Sequence, residues 1–334
     1  MIITLCASLP TSIPNGGTPF NPASGKLRET QRFAFQPVRF HRGCRREVMA
    51  WRTAPPPADN EEAISENLES WDSMAHLHAQ GSGAEFYRID QWLAGESKLA
   101  PWEIEEMGSV GGKSLLHLQC HIGTDTLSWA REGAKVSGLD FSPNAIAEAE
   151  RFAGILGIDD ARFVVSRVSD AVEALAGEEF DIIYTGRGAL CWLPDLDEWA
   201  QVCASLLKQD GMLYLEESTP MVNSLDVEEG PDGPRLFTKY DLFNVGPISE
   251  IGEGSYASTE ADIERTTHCW EYRYDTIINA LLENGFRIDF LNERDELFFP
   301  PWPEVFEPSR PNYWRLKEGH VQIPLSFTLR ATRL

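Results

Sequence analysis

The period of apolar and polar positions changes twice over a short stretch in the first half of the chain. Residues 115–118 form a short apolar run of the kind that makes a buried strand. A polar turn, 119–123, separates this run from a helical pattern at 126–132. Thr124 or Asp125 is the expected cap of that helix, because its side-chain oxygen can accept a free N–H of the first turn. The stretch therefore predicts a strand, a tight turn and a helix.

A second apolar run, 135–139, follows Gly133 and ends on an acid, Asp140. The two runs and the helix between them make a β-turn-α-β unit. In an open α/β sheet, ligands bind outside the carboxyl ends of the strands, where helix amino termini offer free N–H groups. A carboxylate at the end of the second strand is placed there to accept both hydroxyls of a ribose. This arrangement predicts a site for a nucleoside cofactor.

Strand and helix patterns continue to alternate after Asp140. The alternation predicts an α/β fold with a Rossmann-like, doubly wound and mostly parallel sheet. The last two strand patterns are joined by a long aromatic, proline-rich loop, so we expect an antiparallel strand at the carboxyl-terminal edge. The expected strands are 162–165, 180–184, 212–216, 286–292 and 325–332, and the expected helices are 142–156, 172–176, 196–207 and 276–284.

The segments around this core predict a single domain, 58–334, that begins near Ala58. Segment 218–268 has no clear periodicity and is rich in Gly, Pro, Asp and Glu, which is typical of a lid, a binding loop or disorder. Four aromatic side chains of the amino-terminal helices are expected to pack in the interior: Trp71, Phe86, Tyr87 and Trp92. The expected parts are a helical cap that can lie across the cofactor mouth (58–112), a cofactor-binding core (113–220), a lid or substrate insertion (218–268) and a C-terminal helix with a strand pair (276–334).

Residues 1–48 differ in composition from the rest of the chain. They contain five prolines, six arginines and only two acids, and they show no periodicity. Such a segment is typical of an organellar transit peptide or of an over-extended start that precedes Met49. We expect it to be disordered and to take no part in the fold.

The formal net charge is −23, and it is unevenly spread, because residues 1–50 hold seven basic and two acidic side chains. The remainder is therefore strongly acidic and repels phosphate backbones, so we expect no nucleic-acid partner. No apolar run approaches the length that crosses a bilayer, so no membrane partner is expected. The six scattered cysteines contain no Cys-x-x-Cys pair, which predicts reduced thiols in a cytoplasmic protein and no metal site.

The first turn resembles a motif of the class I S-adenosylmethionine-dependent methyltransferases. That motif is an acid followed by alternating glycines; here His117 stands where the acid is expected, and Gly123 is the one glycine that remains. A subgroup of methyltransferase-like proteins carries a Leu-Gln-Cys-His-x-Gly-x-Asp-Thr version, which residues 118–126 match. Three further segments resemble the adenine-framing, fourth-strand and fifth-strand parts of the family: 163–170, 180–200 and 206–217.

The resemblance implies S-adenosyl-L-methionine as the cofactor and a small molecule as the methyl acceptor. Asp140 matches the family acid that holds the ribose hydroxyls. Arg167 stands where an adenine-binding acid is common and cannot accept a hydrogen bond, so Asp170 or the backbone near Val168 is expected to replace it. The implied cofactor-binding residues are His117, Gln119, His121, Gly123, Asp125, Thr126, Asp140, Phe141, Ser142, Val168, Asp170, Thr185 and Gly186.

The implied chemistry asks little of the side chains, because a sulfonium methyl group is already activated. Holding the cofactor and the acceptor in line is worth roughly 7–11 kcal/mol. An acceptor that loses a proton also needs a base, for which the candidates are His121, Glu217 and His268. A structural role is the usual one for each type of position: stabilising the turn for His121, a capping or surface acid for Glu217, and a surface position for His268.

Two other functions use the same β-turn-α-β unit. An NAD-dependent oxidoreductase also has an acid after the second strand, but it expects Gly-x-Gly-x-x-Gly at the first turn, where this chain has Gln-x-His-x-Gly. A non-catalytic protein that binds S-adenosylmethionine or another nucleoside is the alternative from a different class, because a fold alone does not establish activity. The sequence favours a methyltransferase, and it leaves the acceptor and the oligomeric state open.

Overall fold

A central sheet of seven strands organises the protein. The computed structural model describes residues 52–231, 233–244, 246–258 and 261–334, so the predicted leader at 1–48 lies outside the described residues. The strands are β1 (Arg52–Thr53), β2 (Ser114–Leu118), β3 (Lys135–Asp140), β4 (Arg162–Val165), β5 (Phe180–Gly186), β6 (Leu207–Ser218), β7 (Leu225–Gly230), β8 (Gly233–Thr238), β9 (Ile248–Glu253), β10 (Glu264–Cys269), β11 (Phe286–Arg294), β12 (Phe306–Arg310), β13 (Tyr313–Leu316) and β14 (Ser326–Arg333).

Helices flank the sheet, as the alternating patterns predict. Among the described residues, none of them is long and apolar enough to span a bilayer. The helices are α1 (Asn60–Ala79), α2 (Ser82–Phe86), α3 (Ile89–Leu93), α4 (Pro101–Met107), α5 (Thr124–Arg131), α6 (Pro143–Leu156), α7 (Ala171–Ala174), α8 (Leu196–Leu206), α9 (Pro220–Asn223) and α10 (Tyr274–Glu283), and a 3₁₀ turn spans Leu190–Trp192.

The order of strands in the main sheet is β11-β14-β6-β5-β2-β3-β4. The pairs among β2 to β6 are parallel, whereas β14 runs antiparallel to both β6 and β11. The α/β class, the parallel core and the antiparallel carboxyl-terminal edge are therefore confirmed. The carboxyl ends of β2, β3 and β5 meet at one edge of the sheet, where the chain also reverses its direction of growth across the sheet. This edge is the ligand-binding position of a doubly wound fold.

Both faces of the sheet are buried, and β5 shows how the sequence achieves this. Successive side chains of a strand point to opposite faces. Ile183 lies in a core cluster with residues of α8 and α10, whereas Ile182 and Tyr184 lie in a second cluster with Trp129 of α5. Covering both faces explains why the parallel strands read as continuous apolar runs.

The amino-terminal segment is tied to the remainder of the fold by α1. Asp59 caps α1 by accepting a hydrogen bond from the N–H of Glu62 at 3.0 Å. Asn67 of α1 donates to the carbonyl of His268 in β10 and accepts from its N–H, both at 2.8 Å. The described fold extends a few residues further toward the amino terminus than the predicted start near Ala58, because β1 pairs with β9, with Arg52 opposite Ile251.

Segment 218–268 forms regular structure, although no periodicity indicates it. It contains α9, a β7–β8 hairpin, and the β9–β10 pair that joins β1 in a small sheet. The strands of the hairpin are half-buried on both faces, so their side chains do not alternate clearly between apolar and polar. The aromatic, proline-rich loop before β14 likewise contains a hairpin, β12–β13.

Candidate functional site

The first turn joins β2 to α5 at the ligand-binding edge of the sheet. Gln119, His121 and Gly123 have φ angles of +57°, +48° and +73°. Residues other than glycine rarely adopt this left-handed backbone conformation. A Cβ on Gly123 would lie 2.7 Å from Cβ of Ala149, so the turn packs closely against α6. The prediction that Thr124 or Asp125 caps the helix is wrong, because α5 begins at Thr124 directly after Gly123 and has no side-chain cap. The first N–H groups of α5 therefore remain available to a ligand.

Asp140 ends β3 directly beside this turn. Its Oδ2 accepts the backbone N–H of His121 at 2.8 Å, and its Oδ1 accepts that of Ser142 at 2.9 Å. Burial raises the pKa of the carboxyl to about 6, against the opposing effect of these two hydrogen bonds. Each oxygen keeps a lone pair, so the carboxylate can still accept two hydroxyl groups.

The segment after Asp140 is held against α1. The hydroxyl of Ser142 donates to Asp72 at 2.6 Å, and the N–H and side-chain amide of Asn144 donate to the same carboxylate at 2.9 and 2.8 Å. Ser142 also caps α6 by accepting the N–H of Ala145 at 3.0 Å. These bonds fix helix α1 beside the segment that follows Asp140, in which the partly buried Phe141 lies between Asp140 and Ser142.

The expected adenine region holds one buried and one exposed candidate. Val168 is buried, whereas Asp170 is exposed at the start of α7 and makes no side-chain cap. Arg167 forms an ion pair with Glu61 of α1 at 2.7 Å, so its guanidinium is engaged on the helical cap. Asp170 and the backbone near Val168 both remain the predicted substitutes.

A second group of side chains around the first turn comes from β2, α5 and β5. Nδ1 of His117 lies 2.8 Å from Oγ1 of Thr126, and burial lowers the pKa of His117 to about 4, so this imidazole is neutral. Gln119 donates through Nε2 to the carbonyl of Ala189 at 2.9 Å, but its Oε1 is buried without a partner among the described residues. Oγ1 of Thr185 is likewise buried without a hydrogen-bond partner among the described residues. Buried polar atoms without partners are rare and call for a ligand or an ordered water.

Arg187 follows Gly186 at the carboxyl end of β5 and was not singled out from the sequence. Its guanidinium forms ion pairs with Glu103 at 2.7 Å and with Asp125 and Glu216 at 3.2 Å. The pKa of Glu216 is raised to about 8 by burial and by the nearby charge of Glu103. The three acids come from α4, α5 and β6, so no local spacing could have revealed the cluster. Through Asp125, the cluster fixes the first turn of α5 to the end of β5.

An aromatic cluster adjoins the first turn; we define it as Trp71, His78, Phe86, Tyr87, His121, Trp192, Tyr256, Phe299 and Trp314. The ring of Trp71 lies 5.3 Å from that of His121 and 5.1 Å from that of Trp192, and Tyr87 shares a short hydroxyl–hydroxyl contact with Tyr256. Nε1 of Trp71 is buried without a partner among the described residues.

The four aromatic side chains of the amino-terminal helices thus pack in two different places. Trp92 is fully buried in the interior, as predicted. Trp71, Phe86 and Tyr87 instead gather at the site, because α1, α2 and the 254–258 segment meet there.

The three candidate bases lie in different surroundings. His121 is on the first turn, and burial lowers its pKa to about 4. Glu217 is buried, not on the surface; it accepts the N–H groups of Leu190 and Ser218 at 3.0 and 2.8 Å, and burial raises its pKa to about 7. His268 is also fully buried, and its two ring nitrogens contact Glu66 at 2.5 Å and Ser249 at 2.8 Å, which identifies it as a link between α1 and β9.

Residues 116–213 match the family model described as a methyltransferase domain. The match covers the unit from β2 to β6 and less than half of the chain. A ubiquinone biosynthesis O-methyltransferase from Cronobacter sakazakii is 33% identical over 110 residues, which are 33% of this chain and 44% of that protein. The enzyme of the same description from Escherichia coli is 31% identical over 112 residues, 33% of this chain and 45% of that protein. The chain thus spans less than half the length of these curated relatives.

Two solved structures share the fold at low sequence identity. An S-adenosylmethionine-dependent methyltransferase from Mesorhizobium loti has a TM-score of 0.51 at 20% identity, over 72% of this chain and 100% of that chain. Another from Listeria monocytogenes has a TM-score of 0.50 at 19% identity, over 70% of this chain and 97% of that chain. The fold is therefore the Rossmann-like fold of S-adenosylmethionine-dependent methyltransferases.

Proposed function

We propose that the protein is a methyltransferase that uses S-adenosyl-L-methionine to methylate a small molecule. The observation that carries the proposal is Asp140, a buried carboxylate fixed by two backbone N–H groups at the end of β3, beside the first turn. The match of residues 116–213 to a methyltransferase domain, which includes this carboxylate and turn, supports the same reading.

The residues around the first turn fit such a cofactor in their donor and acceptor chemistry. Asp140 would accept the two ribose hydroxyls. The unpaired Oε1 of Gln119 can accept from the ammonium of a methionine moiety, and the unpaired hydroxyl of Thr185 can donate to its carboxylate. The free N–H groups at the start of α5 favour an anionic group at the same place. When bound, the cofactor supplies a methyl group already activated by the sulfonium charge.

The contribution of the protein is then to hold the acceptor in line and to exclude water. Rings of the aromatic cluster surround His121 on the first turn, which gives a desolvated, apolar wall next to the proposed cofactor site. Segments 218–268 and 293–324 contribute Tyr256, Phe299 and Trp314 to that wall. Helix α1, latched by Asp72 onto Ser142, closes the region further and favours a small acceptor over a macromolecule.

The oxidoreductase alternative is weaker on the geometry of the first turn. A dinucleotide site needs glycines there so that the backbone can approach a pyrophosphate. Here Gln119 and His121 hold two of the left-handed positions, and both carry side chains engaged with neighbouring segments. The names of the relatives describe O-methyltransferases, but the match spans only their shared domain, so the acceptor is not transferred from them.

Calorimetric titration with S-adenosylhomocysteine and with NAD tests the proposal. We expect saturable binding of S-adenosylhomocysteine at one site per chain, and no heat with NAD. Binding of NAD without binding of S-adenosylhomocysteine would overturn the assignment. Asp160→Asn is a matched control, because Asp160 is an exposed acid that is distant in sequence from the first turn.

A further inference from the structure

Three side chains from distant segments form a hydrogen-bonded series that ends on the first turn. Oγ of Ser255 lies 2.6 Å from Nε2 of His78, and Nδ1 of His78 lies 2.9 Å from Nε2 of His121. Ser255 follows β9, His78 lies in the last turn of α1, and His121 belongs to the turn after β2. The direction of the hydrogens in this series decides what His121 offers to a ligand.

The hydroxyl of Ser255 sets that direction. Ser255 is fully buried, and its Oγ already accepts the N–H of Ala257 at 3.2 Å. Among the described residues, the hydrogen of this hydroxyl has one acceptor within reach, which is Nε2 of His78. A hydroxyl that accepted from both neighbours would leave its own hydrogen buried without a partner, which is costly. Ser255 therefore donates to His78.

The two imidazoles pass this direction on to the first turn. Burial lowers the pKa of His78 and that of His121, the latter to about 4, so at pH 7 both rings are neutral and each carries one hydrogen. Because Nε2 of His78 accepts, its hydrogen is on Nδ1 and is donated to Nε2 of His121. The hydrogen of His121 is therefore on Nδ1, and within the described residues no hydrogen bond uses it.

A second unused donor lies beside this ring. Nε1 of Trp71 is buried without a hydrogen-bond partner among the described residues. The ring of Trp71 meets that of His121 edge to face, with 5.3 Å between the centroids. Both rings belong to the aromatic cluster, in which Trp192 and Tyr256 also contact Trp71. The cluster thus combines aromatic walls with two neutral N–H groups that have no acceptor in the described part of the protein.

We propose that Nδ1–H of His121 and Nε1–H of Trp71 bind a carbonyl oxygen of the methyl acceptor, and that this acceptor is an uncharged aromatic compound. The inference rests on the proposed function and names the class of its substrate. A carbonyl oxygen has two lone pairs and no hydrogen, so it accepts from both donors, whereas an amino group opposes them with hydrogens of its own. His78 and Ser255 are positioning residues, because they act only through the tautomer of His121.

The surrounding rings account for the aromatic part of the substrate class. Trp71, Tyr87 and His78 all have ring contacts with His121, at centroid distances of 5.3, 6.0 and 5.1 Å. A planar ring held by its oxygen at the two donors meets these rings edge to face or offset, which are the arrangements that aromatic pairs prefer. The acceptor is thus oriented by one polar contact and by apolar walls, as is usual in small-molecule sites.

The charges around the cluster favour a carbonyl group over a carboxylate. Neither donor carries a charge at pH 7. The nearby charges are opposite in sign, since Asp125 acts on the pKa of His121 and Arg265 acts on that of His78. A carboxylate that left water for this place would gain two neutral hydrogen bonds and would lose the hydration of a full charge. A carbonyl oxygen loses much less hydration and gains the same two bonds.

Nitrogen-15 spectra of histidine in the full chain test the direction of the hydrogens. We expect His121 and His78 each to carry the hydrogen on Nδ1 at pH 7, and we expect Ser255→Ala to change this distribution, because the hydroxyl donor is lost. His76→Gln is the matched control, since His76 lies on the same helix but is largely exposed and pairs with Glu148. A hydrogen on Nε2 of His121 in the wild-type chain, or a tautomer that Ser255→Ala leaves unchanged, would overturn the proposal.

Acetophenone is the probe for the carbonyl site, and α-methylstyrene, which has a CH₂ group in place of the oxygen, is its matched control. In the full chain saturated with S-adenosylhomocysteine, we expect acetophenone to shift the N–H signals of Trp71 and His121 downfield, and α-methylstyrene to shift neither downfield. Benzoate, the charged counterpart, should bind more weakly than acetophenone. No downfield shift at millimolar acetophenone, or binding of benzoate as tight as that of acetophenone, would contradict the proposal.

Trp71→Phe removes one donor and keeps an aromatic ring. We expect affinity for acetophenone to fall about 2- to 12-fold, the range for one neutral hydrogen bond, while affinity for S-adenosylhomocysteine stays within about threefold. Trp199→Phe is the control, because Nε1 of Trp199 is also buried without a partner among the described residues, but this side chain lies in the core beside α8.

Two results with Trp71→Phe would refute the inference. Affinity for acetophenone equal to that of the wild-type chain would remove Trp71 from the carbonyl site. A larger loss of affinity for S-adenosylhomocysteine than for acetophenone would assign the donor to the cofactor instead of the methyl acceptor. If the wild-type chain does not bind S-adenosylhomocysteine at all, the proposed function fails, whereas acetophenone titration of the free chain still measures the two donors, so the two failures are distinguishable.

Discussion

The backbone N–H of His121 donates to Oδ2 of Asp140 across 2.8 Å, which fixes the turn after β2 to the acid at the end of β3. The second oxygen of Asp140 is held by Ser142, so the carboxylate cannot rotate without breaking one of these bonds. The turn and the acid are therefore already fixed in one geometry before a ligand that contacts both of them binds.

Asp140→Asn is expected to weaken binding of S-adenosylhomocysteine by roughly 10- to 100-fold, since a hydrogen bond to a charged group is worth about 1.5–3 kcal/mol. The side-chain amide of the new asparagine also turns its own N–H toward one of the two backbone N–H groups that donate to the carboxylate, and two donors cannot form a hydrogen bond. Calorimetric titration measures the change, with Asp160→Asn as the control. Unchanged affinity in Asp140→Asn would remove Asp140 from the ribose site.

Gly123→Ala is expected to destabilise the fold, because Gly123 has a φ of +73° and an added Cβ would lie 2.7 Å from Cβ of Ala149. The left-handed conformation alone costs a residue with a Cβ about 1–2 kcal/mol. Gly154→Ala is the control: Gly154 lies within α6 with open space around it, so the same change should stabilise by about 0.5–1 kcal/mol. Equal unfolding midpoints in urea for the two variants would contradict this account of the turn.

Arg187→Met should cost about 3–5 kcal/mol of unfolding free energy, because it leaves the buried acid Glu103 without its cation and removes the contact of Arg187 with Glu216. Arg162 pairs with Glu178 at the surface, where both side chains are about half exposed, so Arg162→Met should cost at most about 1 kcal/mol. Urea unfolding of both variants checks the difference. A loss in Arg187→Met no larger than that in the control would show that the cluster contributes little to stability.

Stability is expected to fall as the pH rises from 7 to 8. Burial is the main cause that raises the pKa of Glu217 and Glu271 to about 7 and that of Glu216 to about 8. In this window the folded protein binds more protons at these acids than the unfolded chain does, so the free energy of unfolding decreases with pH. The lowered histidine pKa values act in the opposite sense, but chiefly below pH 7, where unfolded histidines take up protons. Burial of Lys98, which lowers its pKa to about 8, also acts in the opposite sense, but the three acids outweigh this one group.

Glu217→Gln should flatten this pH dependence, because one buried acid contributes at most about 1.4 kcal/mol per pH unit. Urea unfolding at pH 7.0, 7.5 and 8.0 would measure the slope, with Glu283→Gln on the exposed face of α10 as the control. A slope in Glu217→Gln as steep as that of the wild-type chain would mean that Glu217 ionises normally in the folded state.

The parallel core and its antiparallel edge could be predicted because their signals are local. Apolar runs of four to six residues and the Ser142 cap before Pro143 mark elements within one window of sequence. The start of α5 could not be placed, because it depends on the backbone of Gly123 and not on a capping side chain.

The functional surroundings were harder to predict, since they are assembled from distant segments. Arg187 meets acids from three other elements, and His78 meets His121 and Ser255 across 43 and 177 residues of sequence. The β-hairpins of 218–268 are half-buried and lack the alternation that identifies a strand. In each case the decisive partner lies outside any window from which a pattern could be recognised.

The central claim is tested most directly by incubating the protein with methyl-labelled S-adenosylmethionine and fractionated metabolite extracts. The account predicts that S-adenosylhomocysteine forms in proportion to the protein, that a labelled small-molecule product appears in particular fractions, and that Asp140→Asn loses most of both. Tight binding of S-adenosylhomocysteine with no labelled product in any fraction would contradict it and would identify a binding protein without methyl transfer.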